Sequence, residues 1–355
     1  VSKRKIVIIG GVAGGMSAAT RARRLSEEAD IVVFEKGPHV SFANCGLPYF
    51  VGGEISDQTQ LLVQTPEDLN ARFNLDVRVR SQVIRIVRDQ QHVVVRDLET
   101  GSEYTESYDA LILSPGAVPL KPPIPGIERR HHFVLHDVSD AIAIEAFVAG
   151  HAGARAVVVG GGYIGLEMAE QLSRRDLNVT VVEALPQVAG FLDAEMAALV
   201  HQEIRANGVD LRLGNAVAAF EEPGAGEDAL ASVVVLKDGS RIPADLVVLA
   251  MGVRPETSLA KDAGLAIGPT GGIKVDEHLR TSDPAIWAVG DAVEVINGVT
   301  GQPCLLPMAG PANRQGRIAA ENALGRPTTY GASFGTGILR IFRLTAAGTG
   351  ANERM

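Results

Sequence analysis

Short apolar runs that stop at glycine recur along this chain and set the first expectations. Lys5–Ile9 carries Ile6-Val7-Ile8-Ile9 and breaks at Gly10-Gly11, which suits a short strand buried on both faces. The Gly10–Gly15 turn then leads into a helical pattern over Met16–Glu28, and Ile31–Glu35 reads as a second buried strand. Lys3-Arg4-Lys5 ahead of the first run imitates a secretory leader. The break at Gly10-Gly11 and the helical stretch from Ser17 to Leu25 favour the strand. No other stretch approaches the ~18 apolar residues needed to span a membrane.

The same order returns later in the chain. Ala156–Val159 predicts a strand, Gly160–Gly165 a turn, Leu166–Arg175 a helix and Val179–Glu183 a second strand. Each second strand ends in an acid, 25 residues after Gly10 and 23 after Gly160. This is the Rossmann-type fingerprint: glycines permit a tight turn close to a pyrophosphate at a helix N-terminus, and the distal carboxylate accepts bonds from ribose hydroxyls. One such turn is weak evidence, whereas two in matching contexts are strong. Gly160-Gly161-Gly162-Tyr163-Ile164-Gly165 satisfies the pattern in full, and the first copy has Val12 where its middle glycine would stand.

Both copies also end alike. His92–Asp97, a turn at Thr100-Gly101 and Tyr108–Ser114 predict a small antiparallel meander before Pro115-Gly116-Ala117-Val118-Pro119. Ser232–Lys237, a hairpin turn at Asp238-Gly239 and Ala244–Ala250 repeat it before Met251-Gly252-Val253-Arg254-Pro255. Ile286-Trp287-Ala288-Val289-Gly290-Asp291 is a further short strand ending in Gly-Asp, expected to complete the first domain and to offer Asp291 to a polyol chain. The fold class is therefore α/β, with two Rossmann-like dinucleotide-binding domains made by internal duplication. The expected boundaries are 1–120 with 256–330 for the first domain and 121–255 for the second.

Composition narrows the partners. Lys and Arg number 33 against 42 Asp and Glu, a net charge of −9, which argues against a nucleic-acid-coating surface. With 46% apolar residues and both charge signs throughout, the chain is globular. Glycine is the outlier at 39 of 355 residues. The two cysteines, Cys45 and Cys304, lie too far apart in sequence for a disulfide framework or a zinc site, so no metal is expected. Free cysteines in such a chain point to a cytoplasmic setting.

Together these residues resemble the flavin-dependent pyridine-nucleotide disulfide oxidoreductases, and within them the coenzyme A disulfide reductases and their persulfide-reducing relatives. The resemblance runs from Ile6 to about Glu353, and its discriminating segment is Ser41-Phe42-Ala43-Asn44-Cys45-Gly46-Leu47-Pro48-Tyr49. The glutathione-reductase branch has a second cysteine five positions on, where this chain has Phe50, so the resemblance implies one redox-active cysteine, Cys45, with Asn44 beside it.

It further implies that Gly10, Val12, Ala13, Gly14, Gly15, Glu35, Lys36, Ser114, Pro115, Gly116, Asp291 and Ala309 bind FAD. Gly160, Gly162, Tyr163, Ile164, Gly165, Glu183 and Gly252 would bind the nicotinamide nucleotide, with Tyr163 covering the flavin until nicotinamide displaces it. A carboxylate at Glu183 suits the free 2′-hydroxyl of NADH and repels the 2′-phosphate of NADPH, and Ala184-Leu185-Pro186-Gln187 offers no cation to welcome that phosphate. Positions matched to coenzyme A contacts are Ser17, Arg21, Arg24, Ser41 and Asn44.

The expected activity is FAD-dependent NADH reduction of CoA disulfide, CoA persulfide or polysulfide at Cys45. The alternatives are an NADH oxidase or peroxidase cycling Cys45 through sulfenic acid, and a flavin electron-transfer or binding module. By resemblance, peroxidase and oxidase members carry a histidine in the first glycine turn, where this chain has Ala13, which counts against the peroxide-reducing branch. Cys45 is expected to have its acidity raised by backbone N–H groups from Asn44 and Gly46 onward; Cys304 is expected to be inert. Residues 331–355 look like the start of the dimerisation domain with which such relatives form homodimers. Exposed apolar surface is expected there at Ile338, Leu339, Ile341 and Leu344.

Overall fold

The computed structural model describes residues 3–224 and 232–353, which divide into two compact units. The first is Val1–Phe42, Leu62–Val118 and Arg254–Gly335; the second is Ala43–Leu61, Pro119–Val253 and Thr336–Met355.

The first unit is built on a five-stranded parallel sheet in the order Ile286–Ala288, Ala110–Leu113, Lys5–Ile9, Asp30–Phe34, Asp76–Arg78. Alternation within Ile6-Val7-Ile8-Ile9 feeds both faces. Ile6 and Ile8 join the core under the helices, and Val7 and Ile9 join the core on the opposite face. Helices Ala13–Leu25 and Ala309–Ala323 cover the first face and approach so closely that a Cβ on Gly316 would meet the Gly14 carbonyl oxygen at 2.1 Å. The second face is packed by the antiparallel sheet Ser81–Val87, His92–Asp97, Glu103–Ser107.

The second unit repeats this plan. Its parallel sheet runs Asp210–Arg212, Asn178–Val182, Arg155–Val159, Leu246–Leu249, His132–Phe133. An antiparallel sheet of Val217–Glu221, Ser232–Leu236 and Arg241–Ala244 packs on one face through Phe220, Val234 and Leu236 against Val157, Val159 and Val247. The α/β class and the duplicated Rossmann-like cores are thus observed.

Several expectations are corrected in detail. Neither Tyr108–Ser114 nor Ala244–Ala250 belongs to a meander: Ala110–Leu113 and Leu246–Leu249 are central parallel strands, and the antiparallel partners are Glu103–Ser107 and Arg241–Ala244. All eight residues of the two central strands are buried, which only a two-faced sheet explains. Both turn-following helices start earlier than expected, at Ala13 and Tyr163, because the last glycines of each turn are already helical.

Residues 43–61 do not stay with the sequence around them but pack in the second unit, where Leu47, Pro48, Phe50 and Val51 of the Leu47–Val51 helix are buried against helices Val138–Val148 and Tyr163–Arg174. The antiparallel pair Gly337–Ile341 and Leu344–Gly348 also packs there, on helices Tyr163–Arg174 and Ala194–Ala206. It buries Leu339 and Ile341 to 1% and 2% exposure, so the expected apolar patch reduces to Ile338, which is 69% exposed, with Leu344 half-buried. Among the described residues no helix is long and apolar enough to cross a membrane.

Candidate functional site

The two glycine turns have the same internal geometry, each within its own unit. Gly10 and Gly160 have φ of +99° and +111°, and an added Cβ would meet the carbonyl oxygen of Ser114 at 1.9 Å or of Ala250 at 2.2 Å. Both positions therefore require glycine.

One residue on, Gly11 donates its N–H to Glu35 Oε2 at 2.8 Å, and Gly161 donates to Glu183 Oε2 at 2.6 Å. Beneath each lies a buried valine: a Cβ on Gly11 would stand 2.5 Å from Val40 Cγ1, and one on Gly161 2.5 Å from Val188 Cγ1. The Ser41 N–H then donates to the Gly11 carbonyl and the Ala189 N–H to the Gly161 carbonyl, both at 2.8 Å.

Sequence reasoning missed Val40 and Val188. The signal was present: each acid is followed by the same spacing, Glu35-Lys36-Gly37-Pro38-His39-Val40 and Glu183-Ala184-Leu185-Pro186-Gln187-Val188.

In the first unit, Ser114, Pro115 and Gly116 follow the central strand beside the turn, with the Ser114 N–H donating to the Ile9 carbonyl at 2.7 Å. Glu35 is held by the N–H groups of Gly11 and Gly37, and Lys36 is exposed beside it. Asp291 lies in the Gly290–Ala292 turn, and burial pushes its carboxyl up to about 6. No donor among the described residues bonds to that carboxylate. A half-buried carboxylate with no donor among the described residues fits a ligand carrying hydroxyl groups, so the residues present suit FAD. Ala309, exposed, begins the Ala309–Ala323 helix. Val12 caps the first-turn helix with φ −108°, a conformation that needs no glycine, and Ala13 is half-buried beside it.

In the second unit, Gly162 is exposed, and a Cβ there would meet nothing within 4 Å. Ile164 is exposed, Gly165 is buried, and Gly252 has φ +98°. Glu183 accepts also from the Leu185 N–H at 2.8 Å, leaving the second lone pairs of its oxygens for ribose hydroxyls. The Arg212 carbonyl accepts from the Glu183 N–H while its guanidinium is turned to Asp210 at 2.9 Å. Tyr163 stacks on Phe191, centroids 4.6 Å apart and planes at 5°, a partner the sequence did not reveal.

Cys45 is exposed, on the Asn44–Gly46 turn that runs into the Leu47–Val51 helix; Asn44 is exposed beside it. The expected acidification of the thiol is overturned. Partial desolvation by the surrounding protein, and then the charge of Glu167, push the Cys45 thiol up, against a smaller opposing backbone hydrogen bond. Two of the backbone donors on which the expectation rested are already committed: Gly46 N–H donates to the Ala43 carbonyl and Leu47 N–H to that of Asn44. Cys304 is half-buried, and burial raises its thiol as well.

Three of the five candidate coenzyme A positions are engaged within the protein. Ser17 donates to Asn313 at 2.8 Å, Arg21 pairs with Glu321 through Nε at 2.9 Å and Nη2 at 2.5 Å, and exposed Arg24 lies over the Phe73 ring at 5.6 Å. Ser41 has φ +48° in the first unit. Among the described residues no group of three His, Cys, Asp or Glu could hold a metal ion.

Residues 4–315 match the family model for pyridine nucleotide-disulphide oxidoreductase. An NADH oxidase of Methanocaldococcus jannaschii is 35% identical over 98% of this chain and 76% of its own length. A coenzyme A disulfide reductase of Staphylococcus haemolyticus is 31% identical over 98% of this chain and 76% of its own. Among solved structures, reduced Bacillus anthracis CoADR-RHD superposes with a TM-score of 0.95 at 48% identity, covering 100% of this chain and 63% of that one. An NAD-dependent persulfide reductase from A. fulgidus gives 0.93 at 39% identity, covering 99% and 65%. The chain thus spans under two thirds of the length of these two structures.

Proposed function

The chain belongs to the pyridine nucleotide-disulphide oxidoreductase family, and from that premise we propose that it reduces a coenzyme A disulfide, a coenzyme A persulfide or a polysulfide with NADH, through Cys45. The observation that carries the reading is a lone exposed cysteine at the head of a buried helix, in a chain with two glycine turns of the same internal geometry. FAD and NAD(P)H are the cofactors the family implies. Gly10, Val12, Ala13, Gly14, Gly15, Glu35, Lys36, Ser114, Pro115, Gly116, Asp291 and Ala309 would hold FAD.

Gly160, Gly162, Tyr163, Ile164, Gly165, Glu183 and Gly252 would hold the nicotinamide nucleotide, and Glu183, with Arg212 turned to Asp210 and no cation in Ala184-Leu185-Pro186-Gln187, favours NADH over NADPH. Ser17, Arg21, Arg24, Ser41 and Asn44 remain the proposed coenzyme A contacts, which requires Arg21 to bind phosphate while paired with Glu321. Relatives named for coenzyme A disulfide and persulfide support the substrate class. A homodimer in a cytoplasmic setting belongs to the same proposal.

Cys45 as thiolate attacks one sulfur of the substrate; the Cys45–S bond forms, the substrate S–S bond breaks, and the other sulfur leaves as thiolate. FAD, when bound, supplies the relay that turns the hydride pair of NADH into the two electrons needed to reopen the new bond.

An NADH oxidase is the second reading, and the M. jannaschii relative favours it. Ala13 opposes it, since oxidase and peroxidase members of the resembled family carry a histidine at that position of the first glycine turn and a methyl group supplies no acid or base.

Steady-state NADH consumption with coenzyme A disulfide, polysulfide and peroxide in turn decides among these readings. Turnover with the sulfur substrates should fall by orders of magnitude in Cys45→Ser, with flavin reduction by NADH intact, and should be largely unchanged in Cys304→Ser. Near-normal disulfide turnover in Cys45→Ser, or turnover with peroxide alone, would overturn the proposal.

A further inference from the structure

The Leu47–Val51 helix behind Cys45 buries Leu47, Pro48, Phe50 and Val51, and apolar burial of this kind fixes depth without fixing direction. Direction comes from one face of the Tyr163–Arg174 helix, where Glu167, Gln171, Arg174 and the C-cap Arg175 recur at helical spacing. The Tyr49 hydroxyl donates to Glu167 Oε1 at 3.3 Å, and the Arg340 guanidinium lies over the Tyr49 ring, 5.1 Å from its centroid. The firmer hold is at the helix end. A helix leaves its last four carbonyls without partners in its own ladder. Those of Pro48, Phe50 and Tyr49 are served locally, by the N–H groups of Gly52 at 2.9 Å, Gly53 at 3.0 Å and Ile55 at 3.1 Å. Val51 is served from elsewhere in the fold. Arg175 Nη1 donates to its carbonyl at 3.1 Å, and Glu145 on the Val138–Val148 helix holds that guanidinium at 3.6 Å.

Gly52, next in line, has φ −72°, which any residue could adopt. The constraint on it comes from Gln171. A Cβ on Gly52 would stand 1.8 Å from Gln171 Oε1 and 2.9 Å from Gln171 Cβ, and Gln171 is 0% exposed, with no room to swing away. Gln171 Nε2 donates to Glu54 Oε1 at 3.3 Å, whereas its Oε1 has no donor among the described residues. An apolar side chain of similar size would avoid that cost. What the amide supplies instead is a seat for Gly52 and a bond to Glu54.

We propose that Gln171 and Arg175 are positioning residues for Cys45, fixing the far end of the helical run that starts at the thiol. This rests on the reading of Cys45 as the attacking thiol. Asn44 and Cys45 are exposed, so packing around the sulfur does not set its place; the run behind it does. Val51 lies six residues on, about 9–10 Å along that run, and a tilt at the seat is carried to the sulfur. Misplacement by about 1 Å can cost on the order of 100-fold in rate. Cys45, Gly52, Gln171 and Arg175 all belong to the second unit.

The test uses the Cys304→Ser chain with a nitroxide attached to Cys45 through a disulfide. It needs no turnover, so it judges the seat whether or not the chain reduces a coenzyme A disulfide. The parent should give a single spectral component. Gly52→Ala and Arg175→Met should each add a second, more mobile one. Gln171→Ala combined with Gly52→Ala makes room for the methyl group and should restore the parent spectrum, which a general loosening of the fold would not allow. In the unlabelled enzyme both single variants should lower kcat with coenzyme A disulfide about tenfold or more. Flavin content and the KM for NADH should stay unchanged, and the double variant should recover. Arg175→Met keeps the test available if Gly52→Ala does not fold. If the parent has no disulfide turnover, the reading of Cys45 fails and the spectra alone decide the seat. Spectra of both single variants that superimpose on the parent, or an unchanged kcat beside altered spectra, would overturn the proposal.

Discussion

Asp291 shows how one side chain can carry evidence of a ligand. Its carboxyl, raised from 3.8 to about 6 by burial, favours the neutral form in the folded protein. The folded state therefore binds the proton more tightly than the unfolded chain. Stability from this group is fully present below about pH 4 and is lost as pH rises through 6. At 1.36 kcal/mol per unit the loss amounts to about 2–3 kcal/mol above pH 6. Asp291→Asn should raise the melting temperature of the flavin-free chain at pH 7–8, with a gain that shrinks steadily as pH falls from 6 toward 4. Melts across that range check it, and a gain that does not depend on pH would show that the carboxylate already has a partner.

The polyol partner of Asp291 remains a proposal, while its place after a short apolar strand was legible in the sequence. The Cys45 environment was not, because the opposing charge of Glu167 comes from a helix more than 100 residues away and the nearby backbone donors are spent on local turns.

Turns and helices were readable wherever the signal was local. The repeat of strand, glycine turn, helix and strand needed only spacing. The misassigned meanders needed a sheet partner far along the chain, and nothing in Tyr108–Ser114 alone says that Ala110–Leu113 lies beside Lys5–Ile9. Close backbone approach is also non-local, which is why the valines under Gly11 and Gly161 escaped attention.

They offer a test of each turn as a unit. In Gly161→Ala the new methyl collides with Val188 Cγ1, so the N–H bond to Glu183 must give way. Overpacking of this kind costs about 1–3 kcal/mol. The KM for NADH should rise about tenfold or more while flavin content is unchanged. Adding Val188→Ala opens the space and should restore most of the affinity. Gly11→Ala should do the opposite, lowering flavin content and leaving nucleotide affinity alone, with Val40→Ala as its rescue. Failure of both rescues would mean that the glycines serve the ligand directly rather than the fit over valine.

At the scale of the whole molecule, the chain is sorted by burial rather than by sequence order. Residues 43–61 leave their neighbours because Leu47, Phe50 and Val51 find apolar partners in the second unit, and Cys45 goes with them. The strand pair at 337–348 is sorted in the same way: Leu339 and Ile341 turn onto helices Tyr163–Arg174 and Ala194–Ala206 while Ile338 points to solvent. Its polar contacts agree, since the Phe342 N–H donates to buried Glu170 at 2.6 Å and the Arg343 N–H to Glu203 at 3.1 Å. Alternation along Gly337–Ile341 was visible in the sequence, but which face had a partner was not.

Leu339→Ala should therefore destabilise the chain by about 2–4 kcal/mol, the usual cost of emptying a buried leucine site. Ile338→Ala should change stability by less than about 0.5 kcal/mol, as surface substitutions do. Denaturant titration with matched slopes measures both. Equal and small effects would mean that the strand pair is not docked on the second unit. Arg340 would then be free of the Tyr49 ring, and the Tyr49 hydroxyl bond to Glu167 would lose its outer support.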